Sequence, residues 1–361
     1  MRLHLPLSRF RAKVLFLLGS TFALSCASEE TEPVTPSEFV LTAPANLGTA
    51  VPFPQRNPFT REGVLLGKKL FYDPILSGNN QISCASCHQP EKAFSDGRAL
   101  TTAGASRKPL LRHAPALQNL AWMQGWFWDG GAKDLESLAL GPLTHEDEMA
   151  QNLKELVLEL QNHVEYPAQF KAAFGTDSIT SALIARALAQ FQRTLITGNS
   201  AYDRHVRKEP NATLNNQELR GLALVRQQCA PCHATDSFTD QSYRNNGLAQ
   251  TFSEEHEQIA WGRGRITHRP EDIGKYKVPT LRNIMVTAPY MHDGCFETLQ
   301  QVLDHYTHGI VPSPTLDPTF LRTDGTLGLT LTQKEKVDIL SFLNTLTDWE
   351  FLQNPAHAPL P

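Results

Sequence analysis

The sequence has little of several features that would each mark a class of protein. Its apolar run at Val14 to Leu24 has 11 residues, where a bilayer-spanning helix needs about 20, and no other stretch is long enough to span. No basic stripe stands out, and the net charge is −4. Both argue against nucleic acid as a partner. Alternating strand patterns are scarce, so a sheet protein is not expected. Cysteine is sparse, with six in 361 residues. The length suits about two domains of ordinary size.

The N-terminus carries an export signal, read over residues 1–26. Arg2, Arg9, Arg11 and Lys13 precede the apolar run, which ends in Ala23-Leu24-Ser25-Cys26. A small residue before a cysteine at this place resembles a bacterial lipobox, although Ala23 stands where Leu is usual. On that reading Cys26 carries lipid and tethers the protein on the periplasmic side without spanning the membrane. Ordinary cleavage is the alternative. Residues 27–58 hold Glu29, Glu30, Glu32 and six prolines. That composition predicts an extended linker without a core.

Beyond residue 60 the periodicity is helical. Leu153, Leu156, Val157 and Leu160 share a face, as do Leu183, Ile184, Ala187, Leu188 and Phe191. Thr332 and Glu335 form a capping box ahead of Val337, Leu340, Leu343 and Leu346. An all-α class with long Gly- and Pro-rich loops follows. A helical stretch (Glu62–Phe71) precedes Cys84, and another (Gln217–Gln228) runs into Cys229. This repeated order predicts two tandem domains, at 59–200 and 201–350, with a tail at 351–361.

Four cysteines form two Cys-x-x-Cys-His motifs: Cys84/Cys87/His88 and Cys229/Cys232/His233. Two thiols at this spacing can add to the two vinyl groups of one haem, and the adjacent imidazole then reaches the iron. Paired zinc knuckles lack a His directly after the second Cys, and disulfides would leave that His unexplained. Two covalently bound haems c are therefore expected. Cys295 is the odd cysteine, read as a buried, inert thiol rather than an intermolecular disulfide.

Several segments together are similar to the bacterial dihaem cytochrome c peroxidase / MauG family. They are Ser83–Gly97, Phe127-Trp-Asp-Gly130, Gly141-Pro142, Glu148-Met149, Lys277-Val-Pro-Thr-Leu-Arg-Asn283 and Ala288-Pro-Tyr-Met-His-Asp-Gly294. They recur in the family's order, and the resemblance covers about residues 55–350. It implies class I cytochrome c-like domains whose haems face the domain interface. The N-terminal haem would react with peroxide and the C-terminal haem would transfer electrons. His88 and His233 match the proximal ligands, Glu148 the distal carboxylate, and Trp128 the tryptophan between the haems. A carboxylate beside an open iron position can take a proton from the inner peroxide oxygen and return it to the outer one. On residues alone, Glu148 reads as a solvated loop charge in Glu146-Asp147-Glu148, and Trp128 as a core aromatic.

The sequence departs from the family in several places. Many of its resting enzymes hold a second histidine on the peroxidatic iron. Residues 89–112 contain no His and no Met, and the matching position falls near Gly104–Ala105. The resemblance therefore implies an iron open at rest, needing no reductive activation, with His113 the nearest residue able to spoil this. His113 stands where Asn usually helps bind calcium. Thr287 and Pro289 match the carbonyl ligands of that ion, which remains a candidate cofactor although an imidazole does not suit it. The second haem's distal ligand is Met in many peroxidases and Tyr in MauG, and the matching residue is Tyr306. Leu299, Val302, Leu303 and Tyr306 lie on one helical face, so Tyr306 is expected to be buried and His305 to point toward the polar side. Tyr306 could also be a core aromatic, and Met291, Met285 and His305 compete as ligands. Leu138 replaces a distal Gln.

The expected function is a periplasmic cytochrome c peroxidase, taking electrons from a small cytochrome c or cupredoxin to reduce hydrogen peroxide. One alternative is MauG-like, peroxide-dependent oxidation of a partner protein's side chain, favoured by the open iron and Tyr306. A non-enzymatic dihaem electron carrier is a third reading, disfavoured because a carrier gains nothing from an open iron.

Overall fold

The helix before Cys84 forms because its ends are signposted. In the computed structural model, which describes residues 37–48, 50–253 and 259–360, α1 spans Arg61–Tyr72. The Thr60 hydroxyl accepts from Gly63 N at 3.0 Å. Glu62 and Lys69 sit at the ends where the helix dipole favours each charge. The first half continues with α2 (Leu153–Asn162), α3 (Tyr166–Phe174) and α4 (Ser181–Arg193). The second half holds α5 (Ala201–Val206), α6 (Asn216–Leu224), α7 (Leu299–Asp304) and α8 (Gln333–Asn344). The Thr332/Glu335 capping box is present on α8. Between these helices, among the described residues, lie long loops and one antiparallel strand pair, β1 (Tyr243–Arg244) with β2 (Tyr276–Lys277).

Two main apolar cores follow the two halves. One gathers Leu66, Leu70, Phe71, Phe94, Leu156, Ile184, Leu188 and Phe191. The other gathers Tyr202, Leu222, Val225, Leu299, Leu303, Ile339 and Phe342. Each is built on a helix pair that touches at a glycine. A Cβ on Gly67 of α1 would lie 1.9 Å from the Ala187 carbonyl oxygen of α4. One on Gly221 of α6 would lie 2.0 Å from that of Asp338 in α8.

Three expectations about the ends of elements need correction. The signal segment 1–26, Cys26 and the start of the linker lie outside the described residues. From residue 37 the linker is packed, not free. Phe39, Leu41 and Val51 join Phe59 and Val64 in a small third core, and Asn46 Nδ2 donates to Asp203 Oδ1 at 2.7 Å. The tail is not peripheral either, since Phe351 and Leu352 are buried in the first core. The helices into Cys229 and Tyr306 do not stay α-helical. Val225–Cys229 and His305–Gly309 are π turns, which hold more residues per turn and shift the helical phase.

Candidate active site

Both Cys-x-x-Cys-His motifs close in the same way. Residues 84–86 make a 3₁₀ turn, and His88 N bonds to Cys84 O at 3.0 Å. His233 N bonds likewise to Cys229 O at 2.8 Å. The chain then turns left-handed at Ala93 and Phe94, and again at Thr235 and Phe238. These turns aim a carbonyl back at each imidazole. His88 Nδ1 donates to Phe94 O at 2.6 Å, and His233 Nδ1 to Phe238 O at 3.1 Å. Such a bond fixes the tautomer and leaves Nε2 as the metal-binding nitrogen. Burial holds both imidazoles below their usual range, in the neutral form a metal needs. Cys84, Cys87, Cys229 and Cys232 are all free thiols. Each half thus presents two unpaired thiols and a neutral, oriented imidazole, a donor set that fits a haem.

Phe94 is itself held from behind by the chain's C-terminal end. Its ring packs against Phe351 at 5.9 Å and His357 at 5.4 Å between centroids. Nothing in the local sequence pattern announces this support.

Glu148 lies on the loop after the short helix Leu140–Thr144. Its amide bonds to His145 O at 3.1 Å, and its own carbonyl accepts from Ala105 N at 2.6 Å. Burial pushes its carboxyl above the usual range, opposed by His145 and reinforced by Asp147. Its charge acts on both Cys84 and Cys87, so the carboxyl sits within electrostatic reach of the first motif. Gly104 backs directly onto this loop: a Cβ there would lie 1.8 Å from Asp147 O. Leu138 is buried in the first core.

Trp128 sits at the junction of the halves. Its indole Nε1 donates to His113 O at 2.8 Å, and its carbonyl accepts from Lys277 N at 2.8 Å. Lys277 Nζ donates to Gln124 O at 2.6 Å. His113 is buried, with Nδ1 donating to Arg98 O at 2.7 Å.

Tyr306 stacks on Phe320, with centroids 5.5 Å apart and rings 6° from parallel. Burial first pushes its hydroxyl up to about 12, Asn246 opposes through a hydrogen bond, and the Cys232 and Cys229 thiolates would add to the rise. The phenol therefore lies within electrostatic reach of the second motif's cysteines. His305 corrects the helical-wheel expectation: it is 6% exposed rather than on a polar side. The π turn changes the phase, and the 245–247 segment covers that face, where His305 Nε2 donates to Asn246 O at 2.9 Å. Asn246 Nδ2 also donates to Met291 Sδ at 3.2 Å, while Met285 is 40% exposed. No sequence pattern points to Asn246, which touches three of the four ligand candidates. Thr287 donates its hydroxyl to Ile284 O at 3.3 Å, and Pro289 follows a cis peptide bond. Cys295 is exposed, not buried. Gly294 takes a positive φ with its back against Ala99, turning the next side chain outward. Partial burial of the sulfur and Asp293 push that thiol up to about 12.

A second missed pair is Arg282 with Asp203. Both are fully buried and bonded through two contacts of 2.9 and 2.7 Å. Arg282 lies inside the recognisable Lys277–Asn283 segment, but its partner 79 residues away has no sequence signature.

The chain is similar to several known proteins. A family model described as di-haem cytochrome c peroxidase matches residues 61–211. The methylamine utilization protein MauG of Methylorubrum extorquens is 35% identical over 356 residues, covering 96% of each chain. The cytochrome c551 peroxidase of Nitrosomonas europaea is 34% identical over 288 residues, covering 80% of each. The crystal structure of a MauG-like protein associated with microbial copper homeostasis superposes with a TM-score of 0.75 at 31% identity. It covers 92% of this chain and 98% of that one. No helix among the described residues is long and apolar enough to cross a membrane. The chain thus belongs to the di-haem cytochrome c peroxidase family, as a haem peroxidase type of oxidoreductase.

Proposed function

We propose that this chain is a periplasmic peroxidase that reduces hydrogen peroxide to water beside the first motif, with electrons entering through the second. Two haems, attached through Cys84/Cys87 and Cys229/Cys232 and held by His88 and His233, would supply the redox chemistry. The domains at 59–200 and 201–350 would carry one each, facing their interface. Export through residues 1–26 and a lipid on Cys26 complete the reading. Tyr306 would hold the second haem together with His233.

The reading is carried by Glu148, a buried carboxyl within electrostatic reach of Cys84 and Cys87. The Gly104 loop that backs onto it carries no histidine. The carboxylate takes the proton from the inner peroxide oxygen and returns it to the outer one, so that the bond breaks with one water as the leaving group, and the remaining oxygen becomes the second water when two electrons and two protons are supplied. Trp128 bridges the halves for the two electrons that follow. Glu148→Gln is expected to slow the peroxide reaction by about two orders of magnitude in stopped-flow mixing, and an unchanged rate removes it from the mechanism. Because burial raises the Glu148 carboxyl, the ionised base is lost as pH falls through that raised value. The acid limb of the parent rate should therefore lie above the ordinary carboxylate range.

A second reading has a specific observation behind it. Tyr306 lies within electrostatic reach of the second motif's cysteines with its hydroxyl near Asn246, and an anionic oxygen ligand lowers a haem potential relative to Met. That favours storing oxidising power for a partner protein's side chain. Poor turnover with a reduced cytochrome, alongside a long-lived oxidised state after stoichiometric peroxide, would select this reading over the first.

A further inference from the structure

Three stretches of chain meet at His113, and two of them belong to what reacts. Its ring donates from Nδ1 to Arg98 O at 2.7 Å, on the segment that leaves the first motif. Its carbonyl receives the Trp128 indole N–H at 2.8 Å. Its amide donates to His292 O at 2.9 Å, in the second half. Each contact is secured from the other side. Gly294 is pressed so tightly on Ala99 that a Cβ would lie 2.4 Å from the Ala99 Cα. His292 stacks on Tyr276 at 3.5 Å between centroids, and the Arg112 guanidinium lies 4.8 Å from the Tyr276 ring centre. His113 itself is 5% exposed, so its own ring and backbone groups have little water to fall back on.

The calcium expectation can be tested on this donor set. A hard cation needs oxygen ligands, and at this position the side chain offers an imidazole whose Nδ1–H is already given to a carbonyl. The His113 side chain does not fit the ion. A ring N–H crossing to the Arg98 carbonyl does by hydrogen bonding what an oxygen-lined ion would do by coordination.

We propose that His113 is a positioning residue that pins Trp128 between the two halves, and that its imidazole holds this junction without calcium. The inference rests on reading Trp128 as the electron bridge. It does not rest on Glu148 or on peroxide chemistry.

The test uses the full holoprotein and follows electron transfer between the two haems after flash photoreduction. His113→Ala is expected to slow that transfer at least about tenfold, as small misplacements of a positioned group do. The visible spectra of both haems and the melting temperature should stay near the parent's. His113→Gln keeps a side-chain N–H for the Arg98 carbonyl and should restore the parental rate. The parent treated with EGTA should transfer electrons as fast as the parent with added calcium. A parental rate in His113→Ala overturns the proposal. So does a parent rate that falls on chelation and recovers with calcium, a measurement that needs no variant to fold. Trp128→Phe separates the two ideas: a parental rate there sinks the bridge, while the chelation arm still judges whether His113 replaces the ion.

Discussion

At the scale of single residues, the candidate peroxide site depends on side chains that are missing as much as on one that is present. Gly104 leaves its place empty because the Asp147 carbonyl stands 1.8 Å from where a Cβ would be. With Ala105 N bonded to Glu148 O, the loop can close on the Glu148 loop through backbone alone. Gly104→Val should force the two loops apart and shift Glu148 from its place beside Cys84. The expected outcome is a slower peroxide reaction, with folding of the second half unchanged. Stopped-flow rates and the resting electron paramagnetic resonance spectrum check it, and a parental rate would show that the loop contact is incidental. The absence of His and Met from residues 89–112 is readable in the sequence. The contact that gives this absence its meaning is not, because Gly104 and Glu148 lie far apart along the chain.

At the scale of elements, both halves rest on a helix pair joined at a glycine. α1 and α4 meet at Gly67, and α6 and α8 meet at Gly221. In open helix, Gly→Ala would stabilise by up to about 1 kcal/mol through propensity. Here the new methyl would press on a backbone carbonyl that cannot yield. Overpacking of this kind costs about 1–3 kcal/mol, so both Gly67→Ala and Gly221→Ala should lower stability in urea unfolding. A gain in either would mean that the helix pair is loosely packed. These helices were legible in advance, because their caps and apolar spacing are local. The π turns at Val225–Cys229 and His305–Gly309 were not, because their cause is the packing of segments distant in sequence. His305 shows the consequence: a wheel drawn at 100° per residue sends it to solvent, whereas the 245–247 segment buries it.

At the scale of the whole molecule, one buried ion pair ties distant segments together. Asp203 of α5 binds Arg282, caps its own helix through Ser200, and receives Asn46 from the N-terminal strap. Arg282 also donates to Asp236 O. Burial alone would raise the Asp203 carboxyl, but Arg282 and its other partners hold it down to about 2, below the ordinary 3.8. A depressed carboxylate contributes stability that is present above the unfolded value and lost as pH falls through the folded one. The parent should therefore lose stability between about pH 4 and pH 2, and Asp203→Asn should lose much less across the same window. At neutral pH, breaking such a pair should cost about 3–5 kcal/mol, since it strands a buried guanidinium. Urea unfolding at stepped pH decides it: parallel pH profiles for parent and variant would refute the assignment.

What the linear chain carries is local chemistry. Cys-x-x-Cys-His can be read in five letters, and capped, periodic helices in a dozen, because neighbouring residues supply every group involved. The placing of Glu148 beside Cys84, of His113 under Trp128, of Asp203 against Arg282 and of Phe351 behind Phe94 belongs to the fold. None joins sequence neighbours, with His113 and Trp128 15 residues apart and Asp203 and Arg282 79 apart, and burial, not motif, gives each pairing its strength.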